Sequence, residues 1–454
     1  MWPFSRNNKN TLNTVKVLIV FVPGVMGTRL KLSGMNWDPD SGYGLGFAKA
    51  WGFASLSKKR TALSAPPGDD VVMDLKEGHG FDSVASDFYS AFLKKLAKHE
   101  FASATTPVYA VGYYWRRPID ESATALRARI LEVMVNEDAK RVVVISHSMG
   151  GLVSRAMFKQ HADTQAIVSG AIHVVQPAVG AVALYRRLFT GMKKDLDGGG
   201  VAGWVLNNAL GETPAEFATL ISVLPGPMQL CPSGFYQRGN GWLGLERSGF
   251  PRNLPQDQSI FDNYGSASSP PGIYNEGLHH STATKTGLRE VLNQAKEFHG
   301  WIQTYKLDGK TWAIYSTGLQ TDVAIDFRKT APAMPKKTRQ VRTGRYDMDT
   351  HSPEYTTETY EDPWPYFADG LAVVPIREAE GDGTVPQNSA SALFPGEEHA
   401  ITKENLADTG KHQFKVDNEV EHAAAFKDGA IQEGVFQLVQ QSVNRAVGEL
   451  MSGH

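Results

Sequence analysis

The sequence predicts an α/β fold, in which a mostly parallel central sheet is flanked by helices and carries an inserted cap. Two apolar, β-branched runs, at 15–22 and 141–145, are typical of strands that are covered on both faces. Between them, residues 121–135 place apolar side chains at helical spacing. Strands that alternate with helices indicate the α/β class, in which the sheet forms the core of the domain.

Three further segments have the character of core strands. Residues 107–111 precede the helical segment, 171–175 follow a helix that begins after Ser148, and 311–315 restore core character after a long irregular stretch. That stretch, 183–305, is rich in glycine, proline and aromatic residues, and so long a block inside a domain is usually functional. We interpret it as a cap over the sheet.

The chain therefore divides into one α/β domain with two insertions. The second insertion is basic at first and acidic after Asp347, which indicates a solvated hairpin or loop with complementary charges. The expected division is a first core part at 14–182, the cap or lid at 183–305, a core continuation at 306–328, the surface insertion at 329–369 and a final core part at 370–450.

Composition excludes several classes of function. The 454 residues include 46 basic and 48 acidic side chains, which gives a net charge of −2. This balance predicts neither a nucleic-acid partner nor a polybasic membrane patch. Cys231 is the only cysteine, which excludes an intramolecular disulfide and a cysteine-based zinc site. Glycine-rich segments at 42–46 and 198–200 lack a P-loop lysine or a strand-linked fingerprint, so nucleotide binding is a weak hypothesis.

The apolar stretch at 15–27 follows basic residues and imitates the core of a signal peptide. We expect a buried strand instead, because the stretch runs directly into Pro23 and Gly24 and no cleavage site of small residues follows. No apolar run is long enough to span a bilayer. The expectation is cytoplasmic synthesis without a signal peptide or a transmembrane segment, and export by a signal-independent system stays open.

Ser148 lies at the junction of an apolar strand and a helix, where a sharp turn exposes a nucleophile at the strand end. Such a turn needs small residues two positions either side. Gly150 meets this need, and Ser146 stands where the usual motif has glycine. The backbone N–H of Met149 then lies at the positive end of the helix and can stabilise an oxyanion. The alternative is a small-residue turn without catalysis.

Residues 22–27, directly after the first core strand, predict a second donor to that oxyanion. Glycines at positions 24 and 27 allow the backbone to approach a substrate closely, and the N–H of Val25 is the preferred donor. An ordinary Pro-Gly turn is the alternative interpretation of this segment.

Two late residues complete a catalytic set. Asp382 lies between glycines after the apolar run 371–375 and suits the acid that orients a catalytic histidine, although Asp-Gly turns are common. His422 precedes a terminal helix; His412 is its chief rival and His399 a weaker one.

Ser148, Asp382 and His422 follow the chain order expected of an α/β-hydrolase. In this interpretation His422 takes the Ser148 proton and later activates water, while Asp382 fixes the imidazole tautomer. His147, beside the nucleophile, is assigned to packing or to the start of the helix.

The motifs together resemble the lecithin:cholesterol acyltransferase and PGAP1-like lipases. The resemblance covers most of the chain in motif order and rests on P-G-V-M-G-T-R-L at 23–30, Y-W-R at 114–116, S-H-S-M-G-G-L at 146–152, Q-L-C-P at 229–232, G-D-G-T-V-P at 381–386 and the late His422. The resemblance implies an α/β-hydrolase that has a mobile cap and acts on lipid acyl esters. It also implies that the chemistry needs no metal or cofactor. It does not separate hydrolysis from acyl transfer, because both pass through one acyl-enzyme.

The expected partners are a lipid or acyl-ester substrate and, transiently, a membrane surface contacted by the cap. The chain also resembles lipase effectors delivered by bacterial type VI secretion, which implies an immunity or secretion-apparatus protein as partner.

The competing hypotheses are a carboxylesterase or thioesterase for small acyl substrates and an inactive hydrolase fold used for binding. An aromatic and leucine-rich cap favours long acyl chains, unless those residues only form a small core of its own; they are Trp204, Leu206, Phe217, Leu220, Phe235, Tyr236, Trp242 and Leu243.

Overall fold

The structure is a computed structural model of the 454-residue chain. It describes residues 15–32, 34–40, 47, 50–65, 71–72, 80–101, 104–192, 209–211, 213–236, 242–245, 282–328, 336–347, 352–361, 366–368, 371–378 and 380–452. Trp204, Leu206 and the glycine-rich segments 42–46 and 198–200 lie outside the described residues.

A seven-stranded sheet forms the centre of the fold, and every neighbouring pair of its strands is parallel. In chain order the described strands are β1 Val17–Val22, β2 Leu30–Leu32, β3 Met35–Trp37, β4 Val71–Val72, β5 Val108–Ala110, β6 Arg141–His147, β7 Val168–Val174, β8 Leu243–Leu245, β9 Thr311–Ser316, β10 Thr321–Arg328, β11 Lys336–Asp347, β12 Ser352–Glu361, β13 Tyr366–Ala368, β14 Leu371–Glu378, β15 His399–Ala400 and β16 Gln413–Val416. The central sheet has the order β15-β16-β9-β7-β6-β1-β5.

Helices cover the sheet and also form part of the segment 183–305. In chain order the described helices are α1 Leu56–Leu63, α2 Ser86–Lys98, α3 Ile119–Glu137, α4 Met149–Gln160, α5 Ala162–Ile167, α6 Val182–Thr190, α7 Pro214–Ile221, α8 Pro225–Met228, α9 Thr282–Ile302, α10 Gln387–Ala390, α11 Lys403–Ala407 and α12 Gly429–Met451, with a 3₁₀-helix at His422–Lys427. None of these described helices combines the length and the hydrophobicity needed to cross a membrane.

Strand β1 shows how the core is built, because all its side chains are buried. Leu18, Val20 and Val22 join the core on the side of α3 and α4, whereas Val17, Ile19 and Phe21 join the core on the side of α2 and α12. A period of two therefore buries both faces of the strand, which explains its continuous apolar sequence. The predicted α/β fold, with a parallel sheet between helices, is confirmed.

Two further features are not part of the central sheet. The apolar run 371–375 belongs to β14, which pairs antiparallel with β10 in a four-stranded sheet of order β13-β14-β10-β8. The charged insertion forms the antiparallel pair β11–β12, as its predicted hairpin requires. Its backbone register pairs Lys336 with Glu361 and Arg339 with Glu358.

Candidate active site

Ser148 sits at the sharp turn between β6 and α4, as the sequence predicts. Its backbone angles, φ 51° and ψ −123°, are strained for a residue with a side chain. Its N–H donates to the carbonyl oxygen of Val174 at 3.0 Å, which anchors the turn to the neighbouring strand. A Cβ on Gly150 would lie 2.4 Å from the Pro23 carbonyl oxygen and 2.6 Å from that of Val22, so only glycine fits there.

Ser146, which replaces the usual glycine upstream, has a partner of its own. It lies opposite His173 in the β6–β7 register, and its Oγ is 2.7 Å from His173 Nδ1. Burial and the nearby Arg155 lower the pKa of His173 to about 3, so this imidazole is neutral at ordinary pH. Serine at this position of the motif therefore forms a buried hydrogen bond with His173 and is compatible with the turn.

The structure brings Ser148, His422 and Asp382 together. Ser148 Oγ lies 2.7 Å from His422 Nε2, and His422 Nδ1 lies 2.7 Å from Asp382 Oδ2. Both distances are within hydrogen-bond range, so the serine hydroxyl can donate to a neutral imidazole whose other N–H donates to the carboxylate. This geometry permits transfer of the serine proton to the imidazole.

The backbone holds the carboxylate and the imidazole in place. Asp382 is almost fully buried, and its Oδ1 accepts hydrogen bonds from the N–H groups of Thr384 at 3.0 Å and Val385 at 2.7 Å. The backbone N–H of His422 donates to the Asp382 carbonyl oxygen at 3.0 Å. The two residues, 40 positions apart, are thus joined by backbone as well as side chain.

The rival histidines lie elsewhere. His412 stacks on Phe394 with ring centroids 5.3 Å apart, and its Nδ1 is buried without a hydrogen-bond partner in the part of the chain that is described. His399 starts the edge strand β15 and approaches Phe414. Among the described residues, neither histidine lines the cavity at Ser148.

The segment after β1 lies directly against the nucleophile. A Cβ on Gly24 would be 3.3 Å from Ser148 Cβ and 2.8 Å from His147 Nδ1. The Gly27 N–H donates to the Gly24 carbonyl oxygen at 3.1 Å and closes a turn in which Met26 has φ 65°. Val25 lies in this turn and lines the same cavity as Ser148.

Met149 is the first residue of α4. Amides in the first turn of a helix have no partner within the helix, so the Met149 N–H is available to a negatively charged oxygen.

A cavity of about 630 Å³ opens on these residues. Its volume lies within the range of about 300–1,000 Å³ that is typical of ligand pockets. Ser148, His422 and Asp382 line it together with Gly24, Tyr89 and Arg187 and with an apolar set that comprises Val25, Met26, Pro39, Phe88, Pro177, Ala181, Ala183, Leu184, Met192, Phe217, Pro227, Leu230, Leu319, Val385 and Ala423.

The predicted cap residues differ in their positions. Phe217 lines the cavity, whereas Leu220, Tyr236 and Trp242 are buried without lining it in the described part of the segment 183–305, and Phe235 is exposed. Phe217, Leu220, Tyr236 and Trp242 belong to the same hydrophobic core as Leu18 and Val20 of β1, so the segment 183–305 packs on the sheet and also contributes to the cavity. Within the described residues, no three His, Cys, Asp or Glu side chains are grouped so that they could hold a metal ion.

Sequence reasoning missed Tyr89, which lies on α2 and lines the cavity. Its position on an amphipathic helix predicts only core packing, and nothing in the local sequence marks its hydroxyl. His147 is buried, as expected of a packing residue. Burial and the neighbouring His422 lower the pKa of His147 to about 3.

The family model for lecithin:cholesterol acyltransferase matches residues 81–230. The resemblance to this family is confirmed over these residues. The matched stretch contains Ser148 and Met149, whereas Val25, Asp382 and His422 lie outside it. An uncharacterized protein of Saccharomyces cerevisiae is 33% identical over 86 residues, which are 19% of this chain and 13% of the yeast protein.

Among solved structures, one chain of the Tle4–Tli4 complex is similar over 95% of this chain and 99% of its own length, with a TM-score of 0.65 and 18% identity. Phospholipase PlaB from Legionella pneumophila aligns over 84% of this chain and 82% of its own, at 10% identity and a TM-score of 0.22, which is too low to carry an argument. The fold is that of an α/β-hydrolase.

Proposed function

We propose that the chain is a serine hydrolase that cleaves acyl esters of lipids through an acyl-enzyme on Ser148. The observation that carries the proposal is the continuous set of hydrogen bonds from Ser148 Oγ through His422 to Asp382, each 2.7 Å long, at the wall of a largely apolar cavity. A nucleophile, a base and an orienting acid at these distances are the arrangement that acyl transfer needs.

In the proposed mechanism, His422 takes the Ser148 proton as Oγ attacks the ester carbonyl. The N–H groups of Val25 and Met149 stabilise the oxyanion, a contribution that in hydrolases is worth about 10²–10³ in kcat for one donor. His422 then protonates the leaving alcohol and activates a water molecule that releases the acid. Asp382 keeps Nδ1 of His422 protonated, so that Nε2 is free to act as base.

The cap supports a lipid substrate. Leu184, Met192 and Phe217 come from the segment 183–305 and line the cavity, so that an acyl chain bound next to Ser148 contacts apolar side chains. We propose that this segment is the lid of the enzyme and that it makes transient contact with the membrane or lipid particle from which the substrate is drawn.

Acyl transfer is the second candidate, and the family match to an acyltransferase favours it. Both reactions share the acyl-enzyme, and they differ only in whether water or a second alcohol receives the acyl group. Supplying a lipid alcohol together with a phospholipid donor and measuring the ratio of new ester to free fatty acid separates the two.

The test of the proposed function is a comparison of p-nitrophenyl esters and phospholipid vesicles as substrates. Wild-type protein should hydrolyse palmitate esters better than acetate esters, and Ser148→Ala should lower hydrolysis by at least about 10⁴-fold. A preference for acetate would favour a small-substrate esterase or thioesterase. Full activity in Ser148→Ala would show that Ser148 is not the nucleophile. An absence of hydrolysis by the wild-type protein would favour a binding module.

We further propose that the enzyme works as a secreted effector with a protein partner. The full-length structural counterpart was solved as part of the Tle4–Tli4 complex, which supports a partner for this chain as well. Expression in the bacterial periplasm is the test. Toxicity that disappears in Ser148→Ala and is suppressed by a co-expressed immunity protein is expected, whereas a Ser148→Ala variant as toxic as the wild type would contradict the proposal.

A further inference from the structure

Three consecutive hydrogen bonds connect the two sides of the candidate active site behind Ser148. The Gly24 N–H donates to Tyr89 Oη at 3.1 Å, and Tyr89 Oη is 2.9 Å from His147 Nδ1. His147 Nε2 in turn is 3.0 Å from the backbone carbonyl oxygen of His422. The connection thus begins in the turn that carries Val25 and ends at the backbone of the proposed base.

One arrangement of protons satisfies all three bonds. The His422 carbonyl oxygen can only accept, so His147 Nε2 carries the proton and donates. Nδ1 of the neutral ring then accepts from the Tyr89 hydroxyl, whose oxygen accepts from the Gly24 N–H. Burial keeps both side chains uncharged, since it lowers the pKa of His147 to about 3 and raises that of Tyr89 well above its usual range.

The surroundings leave these groups little freedom. Tyr89 and His147 are 4% and 5% exposed, and their rings pack on Phe21 and Phe426 with centroids 4.8 and 5.7 Å apart. A Cβ on Gly27 would lie 2.8 Å from Tyr89 Oη, and a Cβ on Gly24 would lie 2.8 Å from His147 Nδ1. Both glycines of the turn are therefore needed to make room for this pair.

We propose that Tyr89 and His147 are positioning residues that hold the Val25 turn and the His422 backbone in fixed relation across Ser148. The inference rests on the proposed function, because it assigns Val25 to the oxyanion and His422 to the base. Neither residue reacts with substrate in this account. Each acts through a backbone group, so its loss displaces the oxyanion donor or the base while the three reacting side chains remain present.

The expected effect is on turnover rather than on binding. Tyr89→Phe should lower kcat by about 10- to 100-fold, because displacements of about 1 Å at reacting groups have costs of this order. KM should change by less than about 3-fold, since Tyr89→Phe keeps the aromatic ring in the cavity wall and the apolar side chains around Ser148 are unchanged. His147→Leu should have a similar effect, and His147→Gln, which keeps a donor for the His422 carbonyl, should recover part of the loss.

The double variant Tyr89→Phe/His147→Leu tests whether the two residues act as one unit. Residues in one hydrogen-bond network are not additive, so the double variant should be no worse than the worse single variant by more than about 3-fold. Tyr113→Phe is the matched control. Tyr113 is fully buried nearby, and its hydroxyl has no hydrogen-bond partner among the residues that the structure describes, so kcat should be unchanged.

The experiment measures kcat and KM on a p-nitrophenyl ester, with active sites counted by stoichiometric labelling with a fluorophosphonate. A fall in kcat per labelled site, together with recovery in His147→Gln, is expected. Activity that falls only in proportion to the labelled fraction would overturn the proposal, because it would mean that the residues serve stability alone. Should Tyr89→Phe fail to fold, the kcat values per labelled site of His147→Gln and His147→Leu are compared instead. A higher kcat in His147→Gln supports the proposal, and equal values overturn it. Wild-type protein that neither labels nor hydrolyses would reject the proposed function itself, and this role with it.

Discussion

At the scale of single residues, Ser146 carries a testable consequence of its bond to His173. Replacing Ser146 by glycine leaves His173 Nδ1 without its partner in a buried site. An unsatisfied buried polar group costs about 1–3 kcal/mol, so Ser146→Gly should lower the free energy of unfolding by that amount even though it restores the usual motif. Urea denaturation measures the change.

The matched variant for this prediction removes both partners. Ser146→Ala combined with His173→Leu should be less destabilised than the sum of the single variants, because no polar atom is then left without a partner. Strict additivity would contradict the account of the pair. Activity per folded molecule should be kept in Ser146→Gly, since Ser146 does not line the cavity among the described residues.

The choice between His422 and His412 is the second prediction at this scale. His422→Gln should lower ester hydrolysis by about 10⁴-fold or more, because the proposed base is lost. His412→Gln should leave hydrolysis unchanged, since His412 stacks on Phe394 and does not line the cavity in the described structure. Steady-state kinetics of both purified variants is the measurement, and a large loss in His412→Gln alone would reverse the assignment.

Local sequence was enough to single out Ser148, Asp382 and His422, because each lies in a short segment whose chemistry and order are characteristic. The structure places their side chains within hydrogen-bond distance, and their catalytic roles stay predictions. Local sequence was not enough to predict the bonds of Tyr89 and His147. These residues are 58 positions apart, and their contact depends on how α2 packs against β6. A hydroxyl on an amphipathic helix gives no local signal of the backbone groups that it will meet.

At the scale of elements, two helical glycines should respond oppositely to the same change. Gly150 in α4 has no room for a Cβ, which would lie 2.4 Å from the Pro23 carbonyl oxygen, whereas a Cβ on Gly300 in α9 meets nothing within 4 Å. Gly150→Ala should therefore displace the turn at Ser148 and abolish activity. Gly300→Ala should stabilise the protein by about 0.4–1 kcal/mol and leave activity intact.

Thermal denaturation and ester hydrolysis of the two variants provide the measurements. An active Gly150→Ala variant of normal stability would show that the turn at Ser148 tolerates a side chain, contrary to the close packing of α4 on the end of β1.

The elements themselves were predictable to different degrees. β1 and residues 142–145 of β6 carry an unbroken apolar sequence, so their burial on both faces of the sheet followed from the sequence alone. β14 was predicted as a strand, but its antiparallel pairing with β10 was not, because an apolar run does not specify its partner. Strand β16, the second strand from one edge of the central sheet, contains Gln413 and Lys415 among its four residues and offered no comparable signal.

At the scale of the whole molecule, buried histidines predict how stability depends on pH. Burial lowers the pKa of His147 and His173 to about 3 and that of His299 to about 4, from an ordinary value of 6.5. Between the folded pKa values and 6.5, these histidines are protonated in the unfolded chain but not in the folded chain. The free energy of unfolding is therefore highest above about pH 6.5 and decreases as the pH is lowered. Each histidine should contribute a loss of about 2 kcal/mol at pH 5 relative to pH 7.5.

Urea unfolding at a series of pH values between 7.5 and 4 measures this loss, and His299→Gln isolates one histidine. The variant should show a slope of stability against pH that is smaller by about one proton, or ~1.4 kcal/mol per pH unit. His299 lies away from Ser148 and donates to the Gln229 carbonyl oxygen at 2.8 Å, which glutamine can also do. An unchanged slope would contradict the neutral state inferred for this histidine.

The central claim is that Ser148 is the nucleophile of the proposed hydrolase. Fluorophosphonate labelling followed by peptide mass spectrometry tests this claim most directly. The account predicts one label per chain, located on Ser148, which is lost in Ser148→Ala and strongly slowed in His422→Gln. A label on another residue, or ester hydrolysis by wild-type protein whose Ser148 stays unlabelled, would contradict it.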